Sequence, residues 1–151
     1  MTVRISTAAR TLLTGASGFK EIFDTGVIDI YSGSQPATAD AAVTGTLLGT
    51  VTLASGAFVA GSPTNGLTFG TPVSGVVSKS GVWSFNGVAN GTAGWFRFRA
   101  NAADAGAVST THSRVDGSVA TSGADLNLSN ITIATGAPNT IDSFTWPQPA
   151  A

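Results

Sequence analysis

From Ile28 to Trp146 this chain is a series of short alternating segments, each stopped by glycine, proline, asparagine or serine. Alternation of apolar and polar side chains suits a half-buried strand, and the punctuation leaves no room for long helices. The pattern predicts an all-β fold, a jelly-roll-like β-sandwich of about eight or nine short strands with a short N-terminal helical segment. Residues 1–26 read as an N-terminal arm and residues 27–151 as a single β-sandwich domain. At 151 residues the chain is of one-domain size and can bury a core without staples. It has no cysteine, which excludes disulfides and thiolate chemistry.

Two strands and a polar loop fill Ile28–Leu53. Ile28 and Ile30 alternate with Asp29 and Tyr31. Gly33, Ser34 and Pro36 then stop the strand, Pro36 because it has no N–H to give a ladder. Extended structure resumes at Thr46, with Leu47, Val51 and Leu53 assigned to one face and Thr50 and Thr52 to the other. The connection is longer than a tight turn, so the two strands can sit in different sheets.

Gly94–Ala100 is the most strongly patterned strand. Phe96 and Phe98 point one way, and Trp95, Arg97 and Arg99 the other. Burying one Phe is worth roughly 1.5–3 kcal/mol, which assigns the Phe face to the core and the Trp/Arg face to the outside. A returning strand over His112–Val119 carries Arg114, Asp116 and Ser118 on its polar side. It sets Asp116 opposite Arg97 or Arg99, and an exposed pair of that kind is worth only ~0–1 kcal/mol. Trp83 and Phe85 share a face, with Ser84 and Asn86 on the wet side.

In the arm, Ser6 or Thr7 caps a short helix through Leu13, and Gly15 and Gly18 break it. Phe19–Asp24 is a second helical candidate, with Phe19, Ile22 and Phe23 at i, i+3 and i+4. Gly26 is assigned to its left-handed terminus. So short a helix cannot stand alone. It must dock on the sheets or on a neighbouring subunit.

Seven basic and eight acidic side chains leave a formal charge of −1. No basic surplus is present to neutralise phosphates, so a nucleic-acid partner is not expected. No apolar run reaches the ~18 residues of a membrane span, so no membrane partner is expected. Met1–Arg10 has no apolar signal-peptide core, so no signal peptide is expected. Charged residues make up 10% of the chain, against ~25% in ordinary domains. A surface so sparsely charged is poorly protected against association, which points to covering partners.

Chemistry is thinly represented. His112 is the single histidine and cannot build a multi-histidine metal site. As a general base it needs a nucleophile and an orienting acid, and no Gly-x-Ser-x-Gly elbow is present. The carboxylates are scattered. Asp125 reads as turn chemistry before a calcium ligand. No enzyme activity, metal or cofactor is expected. The candidate functional residues are instead an interface set: Trp95, Arg97 and Arg99, because Trp and Arg favour energetic centres of interfaces, with Trp146 beside the C-terminus and Phe19 and Phe23 in the docking helix. Sugar stacking on Trp83 or Trp95, in a carbohydrate- or receptor-binding module, is the alternative from another class.

The stretch IYSGSQPATADAAVTGTLLGTVTL resembles a recurring pattern in small structural proteins of tailed bacteriophages. VRISTAAR, GTAGWFRFR, DGSV and TSGADLNL are similar to the same family, so the likeness covers most of the chain. The amphipathic helix that family members carry after STAAR is interrupted here by Gly15 and Gly18. The resemblance implies a virion protein, a capsid decoration (cement) protein on the outside of the head, assembled in the host cytoplasm. Its partners would be the major capsid protein and further copies of itself, a homodimer being favoured and a trimer the alternative. A tail or neck component is the second reading within virion proteins.

Overall fold

The computed structural model describes residues 3–148. Twelve strands run among them, four only two residues long. In chain order the elements are β1 (Arg4–Ile5), α1 (Thr7–Thr14), α2 (Phe19–Phe23), β2 (Val27–Ser32), β3 (Leu47–Leu53), β4 (Thr68–Phe69), β5 (Val76–Ser80), β6 (Trp83–Asn86), β7 (Gly91–Arg99), β8 (Arg114–Ala120), β9 (Leu126–Asn127), β10 (Thr132–Ile133), β11 (Pro138–Ile141) and β12 (Thr145–Pro147).

The large sheet has the order β1-β8-β7-β2-β3-β6-β11, with β10 added on β7 and β9 on β8. A small sheet, β12-β5-β4, packs across it. The interior between them is aromatic. Phe98 of β7 lies 5.8 Å from Phe69 of β4 and 5.7 Å from Phe144, measured between ring centres. Trp83 of β6 meets Phe69 at 5.3 Å and Phe144 at 5.4 Å. Edge and tilted contacts of this kind add to the area-based gain of burying each ring. The fold is an all-β sandwich, and the Phe face of β7 lies in its core as its alternation requires.

Local rules explain the helices. The Ser6 hydroxyl accepts from the Ala9 N–H at 3.3 Å and caps α1, which ends at Gly15. Ser6 is itself buried, donating to the His112 carbonyl and accepting from the Arg114 N–H, both at 2.9 Å. The arm is thereby stitched to the sheet, where β1 pairs with β8. Helix α2 docks inward through Phe19 and Phe23, whose rings pack on Phe98 at 6.1 and 5.2 Å.

Three expectations are corrected. Strands β2 and β3 pair directly, Ile28 facing Val51, in one sheet. The long connection 33–46 does not cross between sheets; it folds back over the large sheet as a strap. A register shift beside Ile30 and Tyr31 reverses the local alternation, so Leu48 is buried and Leu47 exposed. The left-handed residue after α2 is Thr25, with φ 64°. Gly26 serves closeness instead, because a Cβ there would strike the Arg99 carbonyl.

Candidate functional site

The face of β7 that carries Trp95, Arg97 and Arg99 does not lie outside. Trp95, Arg97, Arg114 and Asp116 are each at most 1% exposed. Two loops cover them, the strap 33–46 and the β7–β8 connection 100–113. Alternation separates the two faces of a strand but cannot say that loops of small residues will roof the polar one.

Charge organises this covered face. Asp116 pairs across the strands with Arg97, and the contact is bidentate, with Nε and Nη2 each 2.8 Å from a carboxylate oxygen. Arg97 Nη1 donates to the Ala41 carbonyl of the strap at 3.1 Å. Arg114 grips Asp104 of the second loop in the same fork geometry, at 2.7 and 2.6 Å. Its remaining donors reach the carbonyls of Ala107 at 2.9 Å and Ala39 at 3.3 Å. Arg4 holds the Pro36 carbonyl at 2.9 Å. The strap is thus tied down by three arginines bonding main-chain oxygens. Asp40 at its crest accepts from the Thr7 N–H at 2.9 Å and the Thr7 hydroxyl at 2.6 Å, joining it to α1.

The Arg97–Asp116 pair is therefore a sealed ion pair, not the exposed one its sequence suggested. Desolvation offsets much of its Coulomb attraction, so its effect is to specify geometry; losing one partner alone is costly. Burial pushes the Asp116 carboxyl up, against the pull of Arg97. At Asp104 burial also works upward, but the Arg114 bonds and the Gly106 N–H carry the carboxyl below its usual range. Asp40 is lowered too, the two Thr7 bonds overcoming desolvation.

Trp95 stacks on Tyr31 with ring centres 4.6 Å apart and planes 15° from parallel. The Arg97 guanidinium carbon sits 5.6 Å from the Trp95 ring centre. Burial, then the nearby Asp29 charge, pushes the Tyr31 hydroxyl up to about 12. The Trp95 indole N–H is buried with no hydrogen-bond partner among the described residues. Trp83 and Trp95 are both sealed, so neither presents a ring on which a sugar could stack.

Phe19, Phe23 and Trp146 form a separate group on the opposite side of the large sheet. Phe19 stacks on Trp146 at 4.2 Å with planes 9° apart, and Phe19 and Phe23 are buried. Trp146 stays partly open on β12, an outer strand of the small sheet. It lines a groove of about 310 Å³ with Leu13, Phe19, Pro72 and Val76. It also lines a second groove of about 320 Å³ with Val3, Phe96 and Phe144. The six candidates therefore do not form one patch, and Trp146 and Arg99 are the two that retain contact with solvent beyond a trace.

His112 staples its loop. Its Nε2 donates to the Ala103 carbonyl, which can only accept, at 3.0 Å, and its Nδ1 shares a hydrogen bond with the Ser109 hydroxyl at 2.8 Å. The second ring nitrogen thus faces a carbonyl where a triad would place a carboxylate. Among the described residues no group of three or more His, Asp or Glu is placed to hold a metal ion. No helix among them is long and apolar enough to cross a membrane.

Sequence reasoning missed Asp104, Asp29 and Phe58 as members of the covered face. A signal was present. In a chain with so few charges, arginines and aspartates at mid-strand positions are too costly to bury unpaired. No family model, curated protein or solved structure matches this chain.

Proposed function

We propose that this chain is a structural protein of a tailed-phage virion, a capsid decoration protein that binds the outside of the head and stabilises contacts between major capsid protein subunits. One observation carries the reading: the outward surface is sparsely charged, because the chain has only fifteen charged side chains and part of them is turned to the covered face. Six of the charged side chains, Asp29, Arg97, Arg99, Asp104, Arg114 and Asp116, pair with one another on the covered face. Val73, Val82, Val88 and Val108 stand out instead, between 57% and 75% exposed. Covering such a surface costs little desolvation and meets little like-charge repulsion. The similarity of the sequence to small phage structural proteins supplies the setting. Icosahedral heads offer repeated two-fold and three-fold sites, so a homodimer, or a trimer, fits the lattice.

The mechanism is mechanical. A body sealed on both faces of its main sheet resists deformation, and each subunit contact it bridges raises the barrier to shell rupture. The test is the purified particle. Copies near parity with the shell protein, seated on the outer surface in a reconstruction, are expected. Absence from mature particles, or a few copies confined to a neck or tail, overturns the reading.

A further inference from the structure

Three arginines lie on the covered face of the large sheet, and their donors are not equally used. Arg97 and Arg114 each bond through Nε and both terminal nitrogens. Arg99 bonds through Nε alone, to Asp29 at 2.7 Å. Its side chain is only 16% exposed, yet Nη1 and Nη2 make no hydrogen bond among the described residues. These two nitrogens are open to water, since the buried side-chain nitrogen without a partner among the described residues is Trp95 Nε1.

A pocket of about 370 Å³ adjoins it, lined by Arg99, Phe58, Thr50, Ser55, Asn86 and Val88 among others. The Phe58 ring centre lies 5.3 Å from the guanidinium carbon, a cation–π contact that orients the group. No carboxylate lines the pocket. The nearest acid, Asp29, is already engaged at both oxygens, one by Arg99 and the other by the Thr50 hydroxyl at 2.7 Å. The pocket therefore offers two terminal nitrogens with four unused, coplanar N–H donors, beside the apolar surfaces of Phe58 and Val88 in an otherwise mostly polar lining. A planar group with two acceptor oxygens matches that fork.

We propose that this pocket binds a carboxylate carried on an apolar group, with the carboxylate bridging Arg99 Nη1 and Nη2 and the apolar part against Phe58 and Val88. The inference does not rest on the virion reading. The same chemistry is offered by a free aryl acid and by a glutamate beside an aromatic residue on a partner chain.

The test is an amide-resolved NMR titration of the whole protein with three probes: N-acetylphenylalanine, its neutral amide, and the blocked dipeptide N-acetyl-Phe-Glu-amide. Saturable shifts at Thr50, Ser55 and Phe58 with an acid, and none with the neutral amide, are expected. Tighter binding of the dipeptide identifies a partner side chain as the source; tighter binding of the free acid identifies a small molecule. Arg99→Lys retains a charge for Asp29 but not the fork, and should weaken binding at least about tenfold. Phe58→Ala leaves the Arg99–Asp29 contact in place and should weaken binding by a smaller factor. Equal shifts with acid and amide, no saturation with either acid, or unchanged affinity in a folded Arg99→Lys variant would each overturn the proposal.

Discussion

On β7, Arg97 and Phe98 are neighbours in sequence, and both side chains are sealed from water. They point to opposite faces and are held by opposite means. Phe98 sits among Phe19, Phe23, Phe69, Trp83 and Phe144, where contact is non-directional. Arg97 sits between Asp116 and the Ala41 carbonyl, where every bond has a fixed direction. An apolar face accepts whatever volume fits it. A paired ionic face accepts one arrangement of strands and loops and penalises others. The contrast teaches that this sheet has a core side that supplies stability and a strapped side that supplies uniqueness.

The contrast breaks first under truncation. Phe98→Ala should cost about 3–5 kcal/mol in urea unfolding. Asp116→Ala should cost about as much, because it strands a buried guanidinium. A loss below about 1 kcal/mol for Asp116→Ala would mean that the strapped side behaves as ordinary surface. Replacing both partners together, Arg97→Met with Asp116→Leu, should recover most of the loss. That outcome would separate geometry from net stabilisation.

Tyr31 probes the strapped side from within. It is the one tyrosine in the chain, so tyrosinate absorbance reports it alone. Its folded pKa, about 12, lies above the unfolded value near 10. Stability linked to it is complete below about pH 10 and is lost as pH rises toward 12, up to about 2–3 kcal/mol in all. A folded-state titration midpoint near 10 would place the ring in water and contradict its stack on Trp95.

Acid should act on the loops. Asp104 and Asp40 are both lowered in the fold. Their contribution is present above the ordinary carboxylate range and is lost as pH falls through their folded values. Amide exchange in 33–46 and 100–113 should therefore accelerate on acidification before exchange in β2 and β7 does. Uniform acceleration would argue that strap and core open as one unit. The smallest effect is expected for Asp40→Ala, about 1 kcal/mol, by analogy with loss of a helix cap. It should appear as faster exchange in the first turn of α1.

Much of the fold was legible because its signals are local. A helix cap at Ser6 or Thr7, the Gly15 stop and the alternation of Phe96 with Phe98 are each written in short spacings, and strand alternation narrowed the partner of Asp116 to Arg97 or Arg99. What was not legible depends on tertiary cover. The strap is Gly-, Ala-, Ser- and Thr-rich and carries no periodic signal, so nothing local announces that it roofs Trp95 and Arg97. Leu47 and Leu48 exchanged places because the register slips beside Tyr31, which no propensity records. Phe58 stood in an unpatterned loop, and its partner Arg99 is forty-one residues further on.

The bonds that hold the strap from Arg4, Arg97 and Arg114 end on the oxygens of Pro36, Ala39 and Ala41. Every residue type supplies that acceptor. The side chains of Ala37, Thr38 and Ala42, exposed on the same segment, are consequently free to drift or to be rewritten. Those exposed positions flanking Asp40 are a natural place to write in foreign side chains, with Asp40 and the arginine clamp left as they are.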